Sequence, residues 1–147
     1  LSKKETPVFL MGFSMGGYSI LKVFVQYKKY FQNKNPLKGS ILFYPRCRDF
    51  VEHQVIPVLL IIGGDQDYRS PITECQRMLA MSPFKSKQTL HILKGATHAF
   101  DVQEFKIPQK LRGEDGITHE LIYSPKHYSK SQSLVLQFLN HQIKQSR

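Results

Sequence analysis

The sequence predicts an α/β fold built on a parallel sheet, and three observations carry that reading. Four short apolar runs, at 7–11, 39–44, 56–62 and 88–93, punctuate the chain. They lack the every-second-residue alternation of a half-exposed strand, which marks strands buried on both faces. Helix-patterned or polar connecting segments lie between and after them, the order expected of strand–crossover–strand units with right-handed crossovers. At 147 residues and 41% hydrophobic content the chain can bury one core and is too short for two ordinary domains, so 1–147 is read as a single, partial domain.

The elements follow in order. Val8, Phe9 and Leu10 form the first strand, which stops at Gly12; from Met15 to about Tyr30, the positions Tyr18, Leu21 and Val25 recur at helical spacing. A polar, Pro-containing connection at 34–38 leads to the second strand (Ile41, Leu42, Phe43), which ends at Pro45. The third strand, 56–62, is closed by Gly63 and Gly64, and Pro71 begins a helix through Ile72, Cys75, Met78 and Leu79 that fades near Ser82 and Pro83. After the strand at 88–93 comes a long polar stretch, 101–126, with little periodicity, read as a lid or a partly disordered loop. A final helix at 129–144 carries Leu134, Leu136, Leu139 and Ile143. No internal repeat or low-complexity tract interrupts this order.

The net charge of +10 raises the question of a nucleic-acid or anionic-membrane partner. The basic residues argue against both. Lys28, Lys29, Lys34, Lys38, Lys85, Lys87, Lys106 and Lys110 are scattered, with no helix stripe and no aromatic platform among them, as on a solvated face. No apolar run approaches the roughly 18 residues that span a bilayer. A monomer without nucleic-acid or membrane partners is expected. The chain opens without Met and reaches a strand by about Pro7, so an upstream piece is expected too.

The chemistry concentrates at three places. Gly12-Phe13-Ser14-Met15-Gly16-Gly17 is a G-x-S-x-G pattern between a predicted strand and a predicted helix, the context of a nucleophile elbow. Such a turn strains the Ser backbone, needs small neighbours (Gly12, Gly16 and Gly17) and raises the hydroxyl above the sheet edge. It also sets the backbone N–H of Met15 at a helix N-terminus, where it can stabilise an oxyanion. Taken alone, the same letters also describe a glycine-rich turn that merely packs closely.

The segment Gly64-Asp65-Gln66-Asp67-Tyr68-Arg69-Ser70-Pro71 follows the third strand, at the sheet edge where α/β folds place ligands. Two carboxylates compete there. Asp67 lies four residues before the helix-starting Pro71 and is taken as the acid, leaving Asp65 as a turn or capping residue. His98, in Thr97-His98-Ala99-Phe100, emerges after the fourth strand, 31 residues beyond Asp67, completing the chain order Ser, Asp, His. His91 falls inside a strand, and His53, His119, His127 and His141 fall in loops or on the last helix; none is assigned chemistry. No His or Cys spacing suits a metal, so the site is expected to need no metal and no cofactor. In the resulting mechanism His98 takes the Ser14 proton, Asp67 orients the imidazole, and water hydrolyses the acyl-enzyme. Cys47 and Cys75 each follow a neighbouring strand on one sheet edge, which allows either a disulfide or two reduced thiols.

These residues resemble the dienelactone hydrolase family of the α/β-hydrolase superfamily over nearly the whole chain. The resemblance rests on GFSMGG, on Tyr44-Pro45-Arg46-Cys47, on GGDQDYRSP with Cys75 eight residues after Asp67, and on GATHAF around His98. It implies a three-layer α/β-hydrolase fold whose earlier strands lie before Leu1. It also implies cofactor-free hydrolysis of a small ester or lactone, with the second oxyanion N–H supplied by a loop after one of those earlier strands. Two positions depart from the pattern. The name-giving enzymes carry a Cys nucleophile where this chain has Ser14, and a substrate-binding Arg where it has Val102. The expectation is therefore an esterase relative, with a prolyl-oligopeptidase-like peptidase and a non-catalytic truncated binding module as the competing readings.

Overall fold

Residues 6–26, 37–48, 59–82, 88–113 and 116–145 are described by a computed structural model. The end of the first predicted helix beyond Gln26, the start of the third predicted strand, Pro83, His53 and Lys28, Lys29, Lys34, Lys85 and Lys87 lie outside the described residues. Within them the apolar runs form β1 (Val8–Phe13), β2 (Leu37–Phe43), β3 (Leu59–Gly64) and β4 (Gln88–Leu93). The helical patterns form α1 (Met15–Gln26), α2 (Ile72–Ala80) and α3 (Pro125–Gln145). The last helix starts four residues earlier than its apolar pattern, because Pro125 occupies the first helical position, where its fixed φ and missing N–H cost nothing.

The four strands lie side by side in sequence order and are all parallel. Non-alternating sequence is explained by what covers the two faces. Ile41, Leu42, Phe43, Leu60, Ile61 and Ile62 are each at most 1% exposed. Leu42 and Ile61 point to one side, into a core with Leu21 and Phe24 of α1 and Ile72, Cys75 and Met78 of α2. Ile41, Phe43, Leu60 and Ile62 point to the other, toward Leu134 and Val135 of α3. Burying each such side chain contributes about 1.5–3 kcal/mol, so the sheet is held from both sides. The architecture is an α/β fold with helices on both faces of a parallel sheet, as the sequence predicts.

The stretch 101–126 departs from expectation. It contains a short 3₁₀ turn (Gln103–Lys106) and an antiparallel hairpin of β5 (Gln109–Arg112) and β6 (Thr118–Leu121), with only 114–115 outside the described residues. The strands are four residues long, β5 is exposed throughout, and the inward positions of β6 are His119 and Leu121. A polar His at one of two inward positions erases the alternation that would have announced a strand. His119 is accordingly a buried strand residue, not a loop residue. No described helix is long and apolar enough to cross a membrane.

Candidate active site

Parallel strands in sequence order bring their C-terminal ends to one edge, and Ser14, Tyr44, Asp65 and Lys94 each directly follow one of β1 to β4. Ser14 sits between β1 and α1 at φ 47°, a left-handed conformation costing a non-glycine residue about 1–3 kcal/mol. Its N–H donates to the Phe43 carbonyl (2.9 Å), and its own carbonyl accepts the first helical bond, from Tyr18 N–H (3.1 Å). The glycines around it divide their roles. A Cβ on Gly12 would stand 2.6 Å from the Gly16 carbonyl carbon, and one on Gly17 would be 3.0 Å from Cβ of Pro45. At Gly16 a Cβ would meet nothing within 4 Å among the described residues, so the packing requirement expected of all three glycines holds for two.

The structure brings Ser14, His98 and Asp67 into one hydrogen-bonded row. Ser14 Oγ lies 2.9 Å from His98 Nε2, and His98 Nδ1 lies 2.8 Å from Asp67 Oδ2. Asp67 Oδ1 accepts from the backbone N–H groups of Arg69 (3.0 Å) and Ser70 (2.9 Å), so both carboxylate oxygens are occupied. A carboxylate only accepts; Nδ1 must therefore donate, which leaves Nε2 of a neutral imidazole free to accept from the Ser14 hydroxyl. Asp67 and His98 are 3% and 7% exposed, and at that burial their hydrogen bonds compete with little water.

Asp65 lies in the turn after β3, as expected, but its side chain bonds a different loop rather than its own turn. Its Oδ1 accepts from Gly95 N–H at 2.6 Å, while Gln66 N–H donates to the Ala96 carbonyl at 3.1 Å. The loop carrying Asp67 is thereby tied to the loop carrying His98. Gly64 permits the approach, since a Cβ there would run into the Ala96 carbonyl. From the other side β6 supports the His98 loop. His98 forms a parallel bridge with Leu121, Ile122 N–H donates to Thr97 Oγ1 at 3.1 Å, and Ser124 N–H donates to the Phe100 carbonyl at 2.9 Å. Within the segment read as a lid or a partly disordered loop, residues 121–124 thus bond the backbone and side chains of the His98 loop.

Two residues to which the sequence reading gave no role lie beside this row. Tyr44 directly follows β2 at φ 39°, its ring centroid 4.6 Å from that of His98 and its hydroxyl donating to Asp101 Oδ1 at 2.7 Å. Burial, and then the hydrogen bond and charge of Asp101, push the Tyr44 phenol far above its usual range, so it stays protonated as the donor. Their pairing spans 57 residues and leaves no local signal; only the strand-end position of Tyr44 hinted at it. Among the described residues the non-glycine positions with positive φ are Ser14, Tyr44 and Ala99, which are all in or beside this row.

Cys47 and Cys75 are joined as a disulfide with Cα atoms 5.0 Å apart, the first of the two alternatives the sequence left open. The bridge ties the loop after β2 to α2, and both cysteines are fully buried. Among the described residues no group of three His, Cys, Asp or Glu is placed to hold a metal ion.

No protein-family model matches the chain, and no curated protein matches it either. Solved structures do. A dienelactone hydrolase-like promiscuous phosphotriesterase from metagenomic libraries aligns with 90% of this chain and 52% of its own, at 18% identity and a TM-score of 0.61. Est1E from Butyrivibrio proteoclasticus aligns with 95% of this chain and 62% of its own, at 17% identity and a TM-score of 0.58. The chain thus spans between about half and three fifths of the length of these two proteins. At such identities the shared property is the fold, and the α/β fold of this chain is theirs.

Proposed function

We propose that the protein is a serine hydrolase that cleaves a small ester or lactone through an acyl-enzyme on Ser14. The observation that carries this reading is the row from Ser14 Oγ through His98 to Asp67, with contacts of 2.9 and 2.8 Å. Buried side chains in such a row can move one proton in one direction. As Ser14 attacks an acyl carbonyl, His98 Nε2 takes the hydroxyl proton and Asp67 stabilises the imidazolium; His98 then returns the proton to the leaving group. A positioned acid–base contributes about 10²–10⁴-fold. Met15 opens α1, where the first N–H groups have no carbonyl acceptor inside the helix, and its N–H is assigned to the developing oxyanion. Neither a metal nor an organic cofactor enters this chemistry.

The fold shared with a dienelactone hydrolase-like protein supports placing the chain near that family. Ser14 in place of Cys, and Val102 in place of Arg, favour a plain acyl ester or lactone over a substrate needing its carboxylate clamped. The test is turnover by the full-length protein of p-nitrophenyl acetate, small lactones and dipeptide amides. Ester or lactone cleavage that Ser14→Ala abolishes supports the reading; cleavage of the amides alone transfers the protein to the peptidases. Equal activity in Ser14→Ala contradicts the proposal.

A further inference from the structure

The bond from His98 Nδ1 to Asp67 Oδ2 holds one ring nitrogen and by itself does not set the whole side chain. Coupled rotations about Cα–Cβ and Cβ–Cγ can still tilt the imidazole. Tilting would carry Nε2 away from Ser14 Oγ. Beside the imidazole stands the ring of Tyr44, at 4.6 Å between centroids and 58° between planes.

Tyr44 is itself held at three places. Its backbone N–H donates to the Ile62 carbonyl at 2.7 Å, its ring stands edge-on to Phe100 at 5.6 Å, and its hydroxyl donates to Asp101 at 2.7 Å. Asp101 lies in the turn that directly follows His98. Ala99 at φ 56° reverses the chain there, and Val102 N–H closes the turn on the Ala99 carbonyl at 3.1 Å. A ring of contacts results: the His98 backbone leads through Ala99 and Phe100 to Asp101, Asp101 holds the Tyr44 hydroxyl, and the Tyr44 ring returns to the imidazole.

Packing alone does not account for this arrangement. Apolar contacts with Phe43 and Phe100, at 6.2 and 5.6 Å between centroids, need only the ring of Tyr44 and not its hydroxyl. A phenylalanine would fill the Tyr44 site without bringing a hydroxyl and a carboxylate partly out of water, which is unfavourable unless the two are paired. The left-handed backbone at both Tyr44 and Ala99 is a further cost kept at this spot. Positioning of the histidine explains why all three features coincide.

Resting on the serine-hydrolase reading, we propose that Tyr44 and Asp101 are positioning residues: their hydrogen bond clamps the Tyr44 ring against His98 and holds Nε2 on Ser14. The experiment measures the second-order rate of fluorophosphonate reaction with Ser14, and kcat and KM for a small ester, in the full-length protein. Tyr44→Phe keeps the ring and removes the clamp. The expected result is a fall on the order of 10- to 100-fold in labelling rate and kcat, as for small misplacements of a reacting group, with KM and melting temperature close to wild type. Asp101→Ala is expected to match it, and Asp101→Asn, which restores an acceptor for the tyrosine hydroxyl, to recover most of the loss. A rate within about twofold of wild type in Tyr44→Phe overturns the proposal. So does an equal defect in Asp101→Asn and Asp101→Ala. Should Tyr44→Phe not fold, the two Asp101 variants decide. Wild-type protein that does not react at Ser14 overturns the serine-hydrolase reading and the clamp together, whereas normal wild-type labelling with an unaffected Tyr44→Phe removes the clamp alone.

Discussion

That Ser14, Asp67 and His98 would meet could be anticipated because each sits in a short segment with its own chemical logic, and the segments follow the strands in order. The two aspartates of one loop make the sharpest test. In Asp67→Asn the carboxamide can offer Nδ1 an N–H and so favour the wrong imidazole tautomer, and kcat for ester cleavage is expected to fall on the order of 10⁴-fold with the fold intact. Asp65→Asn weakens only the contact to Gly95 N–H. That variant is expected to lose about 0.5–1.5 kcal/mol in urea denaturation and far less rate than Asp67→Asn. If the two variants exchanged these phenotypes, the acid would be Asp65. Tyr44 and Asp101 were not legible, because a tyrosine ending a strand and an aspartate in a distant turn announce nothing until the fold joins them.

At the scale of elements, the account depends on two loops being tied together at the ends of β3 and β4. Gly64 faces the Ala96 carbonyl, and the Cβ of Gly64→Ala would force the Ala96 backbone away. Overpacking of this kind costs about 1–3 kcal/mol, and here it also separates Asp67 from His98, so both melting temperature and ester turnover are expected to fall. The disulfide makes a separable prediction. Cys47 and Cys75 are 28 residues apart, and the Cys47→Ser, Cys75→Ser double variant is expected to lose about 2–4 kcal/mol in chemical denaturation while still reacting at Ser14. Strands and helices with strong periodicity were readable from sequence; β5 and β6 were not. Each has four residues, and neither offers enough inward apolar positions for a pattern to emerge.

For the molecule as a whole, α3 closes the second face of the sheet, and its charge meets the sheet at His91. Burial first, and then Lys130 of that helix, hold the His91 imidazole below its ordinary value of 6.5. The unfolded chain therefore takes up the proton before the folded one. This contribution to stability is fully present above pH 6.5 and is lost as the pH falls from there toward the folded-state value. The melting temperature is expected to drop as the pH falls through and below 6.5, and to drop less in His91→Gln. The fold class was the most legible property of all, since a parallel sheet covered on both faces leaves continuous apolar runs in the sequence. Peptide mapping by mass spectrometry, after treating the full-length protein with a fluorophosphonate, tests the site directly. The account predicts a single adduct on Ser14, absent in Ser14→Ala and strongly slowed in Asp67→Asn; no adduct, or one on another residue that survives Ser14→Ala, would contradict it.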